Sequence, residues 1–143
     1  MTAPIRTALP GDMAEILAIE ASVFGPDQQW EAEDLASEVS QGRVIVYTGD
    51  PKVVGYAVSK VRDGVGTLTN VAVLPSRQGL GVGDALVTSA MNGMWDAGAA
   101  CIELECNTDL VSFYRRFRFD VCGFYTTGIG SKQRARVAMR RMP

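Results

Sequence analysis

The sequence predicts an α/β fold: one sheet of mixed direction with helices on both faces, in the order β-α-α-β-β-β-α-β-α-β-β. Three observations predict it. Residues 43–74 form a strand-rich block broken only by tight turns, which reads as an antiparallel meander. A long apolar stripe at helical spacing follows over residues 81–97. Beyond it, strand patterns flank one further short helical pattern to the end of the chain.

Taken in order, Ile5 to Ala8 reads as a short first strand ended by Pro10-Gly11. Asp12 is placed to N-cap a helix in which Met13, Ile16, Leu17 and Val23 recur at helical spacing, and Gly25-Pro26 stops it. A second short helix runs from about Glu31 to Ser40, with Leu35 and Val39 on one face. Arg43 to Thr48 is β-branched, Gly49-Asp50-Pro51 is a turn, and Lys52 to Arg62 is a longer strand. Asp63-Gly64 is a strong hairpin signal leading into a strand from Val65 to Leu74. Pro75 closes that strand, and a glycine-rich turn opens a helix from about Gly81 to Ala97. Val82, Leu86, Ala90 and Met94 line one stripe of it, and Gly98 is its natural C-cap. Ala100 to Cys106 is a strand, Thr108 or Asp109 caps a short helix through Phe117, and two last strands cover about 119–127 and 134–141. With no repeat, low-complexity tract or linker, residues 1–143 read as one domain.

Composition narrows the function classes. A chain 47% hydrophobic and 21% charged belongs with soluble globular proteins, and a net charge of -2 offers no basic footprint for nucleic acid or an anionic membrane. Arg134, Arg136, Arg140 and Arg141 alternate with apolar residues and read as the solvated face of a strand. No apolar run approaches the roughly 20 residues a membrane helix needs, and no signal peptide opens the chain. Cys101, Cys106 and Cys122 have no metal-ligand spacing, so reduced thiols in a cytoplasm and no bound metal are expected. There is no histidine, which excludes Ser-His-Asp and Cys-His pairs and the HExxH zinc motif. Acid–base chemistry must then use carboxylates, Tyr, Cys, Lys, water or a terminus.

The most informative stretch is Val71-Ala72-Val73-Leu74-Pro75-Ser76-Arg77-Gln78-Gly79-Leu80-Gly81-Val82-Gly83. A strand runs into a turn with glycines at 79, 81 and 83 and then into a helix. Such a turn lets backbone approach a ligand closely, and the unpaired N–H groups and positive dipole end of the helix favour a phosphate there. Arg77 adds a full charge. A Walker loop is excluded because no Lys follows the glycines. The dinucleotide fingerprint fails because its last glycine would be Asp84 or Leu86. What remains, Gln78-x-x-Gly81-x-Gly83 behind V-x-V-x-P, resembles the acyl-CoA pyrophosphate loop of the GNAT superfamily.

The resemblance implies the GNAT fold and acetyl-CoA as cosubstrate. Backbone N–H groups of Gln78, Gly79, Leu80, Gly81, Val82 and Gly83 would hold the pyrophosphate with Arg77. The strand Val71, Ala72, Val73 would pair with the pantetheine arm, admitted by a splay from the Ala100–Cys106 strand.

A second stretch, Ile102-Glu103-Leu104-Glu105-Cys106-Asn107 followed by Phe113-Tyr114-Arg115-Arg116-Phe117-Arg118-Phe119, resembles the other GNAT hallmark, strand-N-x(n)-FYxxxGF. It is most similar there to glucosamine-6-phosphate N-acetyltransferases. Tyr114 then matches the family tyrosine that donates a proton or hydrogen bond to the departing CoA thiolate, a sound pairing of a phenol near pKa 10 with a thiol near 8.5. Asn107 and Phe113 fall among the positions that contact the cofactor, although by residue type Phe113 and Phe117 read as the apolar face of a short helix.

The sequence departs from the pattern twice. Arg118 stands where a glycine normally takes a left-handed conformation, at a cost of about 1 kcal/mol. Thr69-Asn70 stands where the glucosamine-phosphate enzymes carry an acidic pair, which weighs against that substrate.

Acetylation needs a neutral amine. Glu103 and Glu105 share one strand face, and Glu105 is the first candidate base, with an exposed strand glutamate as the plain alternative and Asp120 as a further candidate. The stretch from Ile16 to Trp30 looks like the I-E-x-x-x-F…W start of ribosomal-protein alanine acetyltransferases, with Trp30 read as core packing. Three readings follow: an acetyltransferase for a small amine that is aminosugar-like or amino-acid-like, a protein N-terminal acetyltransferase, and a non-catalytic acyl-CoA-binding module. The family also leads us to expect a homodimer.

Overall fold

The structure, a computed structural model, describes residues 4–26, 28–49 and 51–143, with the backbone alone at Lys132. Its strands are β1 (Ile5–Thr7), β2 (Val44–Gly49), β3 (Lys52–Arg62), β4 (Val65–Val73), β5 (Cys101–Asn107), β6 (Asp120–Thr127) and β7 (Arg134–Arg141). The helices are α1 (Met13–Val23), α2 (Ala32–Ser40), α3 (Val82–Asp96) and α4 (Val111–Arg115). The sheet order is β1-β2-β3-β4-β5-β7-β6. β4 and β5 are parallel, whereas β1–β2, β2–β3, β5–β7 and β6–β7 are antiparallel, so the sheet is mixed as the element order predicts.

Predicted and observed elements agree in kind and order, with two local corrections. Asp12 does not cap α1 forwards; a 3-10 turn over Pro10–Asp12 precedes that helix. Its carboxylate instead reaches back to accept the Leu9 N–H at 2.8 Å and two bonds from Arg6 at 2.7 and 3.0 Å. Neither Thr108 nor Asp109 caps the short helix by its side chain, because a 3-10 turn over Thr108–Leu110 leads in, and α4 ends at Arg115. In the predicted turn at Gly49-Asp50-Pro51, Asp50 lies outside the described residues.

The Asp63-Gly64 hairpin turns as its residues demand. Both central residues have positive φ, 52° and 78°, which the two-residue turn favoured by strand twist requires.

The chain forms two compact units, Met1–Ser59 with Asn70–Asn92, and Lys60–Thr69 with Gly93–Pro143. In the first, Ile16 and Ile19 of α1, Leu35 and Val39 of α2, Val44 and Val46 of β2, and Tyr56 and Val58 of β3 close one core. Each such aliphatic side chain contributes roughly 1.5–3 kcal/mol when fully buried. Successive β3 residues face opposite sides. Tyr56 meets Glu20 of α1. A Cβ on Gly55 would stand 3.0 Å from Leu86 Cδ1 of α3. Helices therefore cover both faces of this unit's strands, and glycine is what lets α3 come so near.

In the second unit Ile102, Leu104 and Cys106 of β5 and Val137 and Met139 of β7 are buried. The alternate residues, Glu103, Glu105, Arg136, Ala138 and Arg140, line the other side of these strands. All three cysteines are free thiols: Cys106 buried, Cys101 half-buried and Cys122 exposed.

Candidate active site

The glycine turn lies in the first unit. Gly79 and Gly81 take φ of 79° and 86°, in the left-handed region that disfavours any residue with a Cβ. A Cβ added at either would meet no protein atom within 4 Å, so the space beside this backbone is open. The first hydrogen bond of α3 runs from Ala85 N–H to Gly81 C=O at 3.0 Å. The N–H groups of Val82 and Gly83 thus stand before the helical ladder begins, at the positive end of its dipole. Gln78 braces the turn by donating from Nε2 to the Val73 carbonyl at 3.0 Å, and its backbone N–H closes the preceding 3-10 turn onto the Pro75 carbonyl at 3.4 Å, so the cradle of N–H groups begins after it, at Gly79. Arg77 and Leu80 are exposed beside it. Open space, oriented donors and a guanidinium suit a pyrophosphate, so these residues fit a nucleotide-type cosubstrate.

Tyr114 lies in the second unit. It is 7% exposed, and its ring packs edge-on against Phe113 at 5.0 Å and Phe119 at 6.1 Å. Its hydroxyl makes no hydrogen bond among the described residues. Burial pushes its pKa well above the usual value for a phenol, nearby Cys106 adds to the rise, and Arg136 opposes it. Tyr114 therefore stays protonated and keeps a proton to donate.

Arg118 takes φ of 65°, so this arginine adopts the conformation expected of the missing glycine. Its N–H bonds to Arg115 C=O at 2.9 Å and Phe119 N–H to Tyr114 C=O at 3.4 Å, which closes α4 in a Schellman motif. Phe119, fully buried, then packs on Tyr114 as the hydrophobic half of that motif and holds the phenol in place.

Glu105 lines a groove of about 320 Å³ in the same unit, together with Glu103, Arg136, Arg140, Cys122 and Thr67. Arg140 donates from Nε and Nη2 to Glu103 at 3.1 and 2.6 Å, so these two charges neutralise each other. Glu105 accepts the Tyr125 hydroxyl at 2.5 Å. Arg136 donates to Asn107 Oδ1 at 2.8 Å and also faces the Tyr125 hydroxyl. Partial burial first, then Glu105, raises the Tyr125 pKa, and Arg136 opposes that rise. The arginines at 136 and 140 are therefore part of a hydrogen-bonded groove and more than the solvated strand face their pattern suggested. Asp120 is exposed on β6 opposite Arg140 and is absent from the groove lining.

The β4–β5 ladder covers four residue pairs, Val65↔Cys101 to Leu68↔Leu104. β4 continues to Val73 and β5 to Asn107, so Val71, Ala72 and Val73 lie beyond this ladder.

Residues 12–119 match the Acetyltransferase (GNAT) family. The chain belongs to the GNAT acetyltransferase family. One relative of this GNAT acetyltransferase is the uncharacterized N-acetyltransferase YjcF of Bacillus subtilis (strain 168), 30% identical over 105 residues that cover 72% of this chain and 74% of that one. The fold is shared with the ribosomal-protein-S18-alanine N-acetyltransferase from Escherichia coli, with a TM-score of 0.83 at 23% identity over 96% of this chain and 92% of that one. It is shared equally with a GNAT phosphinothricin acetyltransferase from Sinorhizobium meliloti solved with acetyl-CoA, at a TM-score of 0.81, 18% identity and coverage of 99% and 89%. This GNAT acetyltransferase is accordingly an acetyl-CoA-dependent N-acetyltransferase. Among its described residues no helix is long and apolar enough to cross a membrane, and no group of three or more His, Cys, Asp or Glu could hold a metal ion.

Sequence reasoning missed Glu20. It is 1% exposed on α1, yet it accepts hydrogen bonds from the Tyr56 hydroxyl, from Asn70 Nδ2 at 3.1 Å and from Trp30 N–H at 2.7 Å. Asn70 Nδ2 also donates to the Tyr56 hydroxyl at 3.0 Å. Burial first, then the Glu20 carboxylate, pushes the Tyr56 phenol far above its usual range. Trp30 packs against the first unit's core, as its residue type suggested. The available signal was a glutamate sharing the apolar stripe of Ile16, Ile19 and Val23 on α1.

Proposed function

We propose that this chain transfers the acetyl group of acetyl-CoA to the primary amine of a small polar molecule, by direct attack in a ternary complex. The observation that supports this reading best is the groove containing Glu105: about 320 Å³, the size of a small-molecule site, and lined by charged side chains.

Gly79, Leu80, Gly81, Val82 and Gly83 offer backbone N–H groups to the pyrophosphate, Gln78 holds the turn through its side chain, and Arg77 adds its charge. Val71, Ala72 and Val73 pair with the pantetheine arm, and Asn107 and Phe113 border the cosubstrate. Acetyl-CoA supplies the thioester. Glu105 takes a proton from the acceptor's ammonium, and the free amine nitrogen then bonds to the carbonyl carbon. The C–S bond breaks, Tyr114 gives its proton to the thiolate, and the proton lost by the new amide nitrogen restores the phenol. A pantetheine thiolate left without a donor would be a poorer leaving group, which is why a phenol held protonated matters.

A second reading, acetylation of a protein N-terminus, is supported by the front of the chain, where Glu20 ties the Trp30 backbone to α1. Calorimetric titration with acetyl-CoA and with NADH, followed by a thiol-release screen of small amines and alanine-terminated peptides, tests both. Micromolar acetyl-CoA binding with turnover of small amines upholds the first reading. Turnover of peptides alone moves the assignment to the second. Tighter NADH binding, or no acetyl-CoA binding, overturns both.

A further inference from the structure

The groove of the second unit holds four charges, and they are not equally spent. Glu103 and Arg140 neutralise each other through two bonds. Glu105 and Arg136 do not pair. Between them stands the Tyr125 hydroxyl, which donates to Glu105 at 2.5 Å and faces the Arg136 guanidinium. Arg136 donates to Asn107 Oδ1, which is also neutral. Among the described residues the groove thus presents one anion and one cation with no ion-pair partner, held apart by a single phenol. Tyr125 satisfies one carboxylate lone pair and Asn107 one guanidinium N–H, which leaves bonding capacity on both charged groups.

A ligand bearing a cation and an anion a few ångströms apart would complete both groups at once. A simple amine would satisfy only Glu105 and leave Arg136 without a counter-charge. A guanidinium recognises a carboxylate through paired N–H donors, a geometry that an amide oxygen does not reproduce. We infer that the acceptor is zwitterionic, an α-amino acid or a close analogue, with its ammonium on Glu105 and its carboxylate on Arg136. Tyr125 is then a positioning residue that keeps the two charged groups from collapsing onto each other when the groove is empty. This inference rests on the reading of Glu105 as the acceptor-side base.

Cys122, exposed in the lining of the same groove, provides a direct reporter. The test compares free L-amino acids with their α-carboxamides in two measurements. In the first, wild-type protein is alkylated with N-ethylmaleimide and modification at Cys122 is followed by mass spectrometry. A free amino acid should slow modification severalfold, while its carboxamide should not. In the second, thiol release from acetyl-CoA is measured for both sets. The free acids should be preferred by about tenfold or more in kcat/KM, and Arg136→Gln should reduce that ratio to near one. Because both proteins meet the same two amines, the change in ratio reads the guanidinium and not the intrinsic basicity of the amine. Tyr125→Phe should raise KM for the acid with a smaller effect on kcat.

Protection of Cys122 by the acids without any turnover would uphold the inference and sink the acetylation reading instead. Equal turnover of acids and amides, an unchanged ratio in Arg136→Gln, or turnover restricted to peptide N-termini would overturn the inference and leave acetylation standing.

Discussion

Asn70 Nδ2 stands 3.1 Å from Glu20 Oε1, so the side chain on β4 that lacks a carboxylate meets one delivered by α1 from fifty residues away. The Thr69-Asn70 pair had looked like a lost acidic site. In the fold, Asn70 is a donor in a buried network whose acceptor is Glu20, joined by the Tyr56 hydroxyl and the Trp30 backbone.

Glu20→Ala should therefore destabilise the protein strongly, by about 3 kcal/mol, because it orphans buried donors as well as deleting a packed side chain. Glu20→Gln keeps the shape but sets an NH₂ against donors, and should lose about half as much. Urea denaturation followed by circular dichroism checks both values. A loss below about 0.5 kcal/mol for Glu20→Ala would mean that the network contributes little.

At the glycine turn, Gly81→Ala places a Cβ at φ of 86°, and the space around it is open, so the penalty is backbone strain of about 1–2 kcal/mol and not a clash. The turn should relax away from the conformation that binds phosphate, weakening acetyl-CoA roughly tenfold by calorimetry and lowering Tm by no more than a few degrees. Gly81→Val should abolish binding.

Tyr114→Phe removes one hydroxyl that has no hydrogen-bond partner among the described residues and keeps the ring contacts with Phe113 and Phe119. We expect kcat to fall by about a hundredfold, within the usual range for losing a general acid, with acetyl-CoA affinity unchanged. Because the phenol's pKa is raised, no loss of activity from its ionisation should appear up to pH 10. A variant with full kcat would show that Tyr114 only packs.

Gly98 and Arg118 occupy the same left-handed position in two Schellman motifs, with φ of 94° and 65°. At α3 the pair of bonds is Gly98 N–H to Trp95 C=O and Ala99 N–H to Met94 C=O, both 3.0 Å. Glycine closes that helix without strain, whereas Arg118 carries the Cβ penalty. Arg118→Gly should then stabilise the protein by about 1 kcal/mol with no effect on activity, measurable as a rise of a few degrees in Tm.

The Arg6 guanidinium, bonded to Asp12 at 2.7 and 3.0 Å, holds that carboxyl below the usual carboxylate range. A depressed folded pKa means that the stabilisation is complete above the unfolded value near 4 and is lost as pH falls through the lower folded value. Melting temperature should drop across that acid window, and Asp12→Asn should have a lower Tm at neutral pH and a shallower acid decline.

Much of the fold was legible because its signals are local. The stripe Val82, Leu86, Ala90, Met94 is buried along its whole length, and Asp63-Gly64 turns the chain as its dipeptide requires. The glycines at 79 and 81 and Tyr114 could be singled out from their neighbours in sequence, since turn conformation and helical spacing act over a few residues. Short-range capping was less legible. Asp12 had a choice of donors, and the partner it took, Arg6, lies on the preceding strand.

What only the tertiary structure decided are the constellations assembled from distant segments. Glu20, Tyr56 and Asn70 meet because α1, β3 and β4 share one core, and Glu105, Tyr125 and Arg136 meet because β5 and β6 both pair with β7. In the sequence Arg136 is one of several alternating arginines and Glu105 one of two alternating glutamates. Strand alternation determines which of them share a face, but only the register between strands sets which charges cancel and which remain. That register sets Glu103 directly opposite Arg140, Glu105 opposite Ala138 and Asn107 opposite Arg136, so it pairs off one couple of charges and sets Glu105 and Arg136 opposite neutral residues.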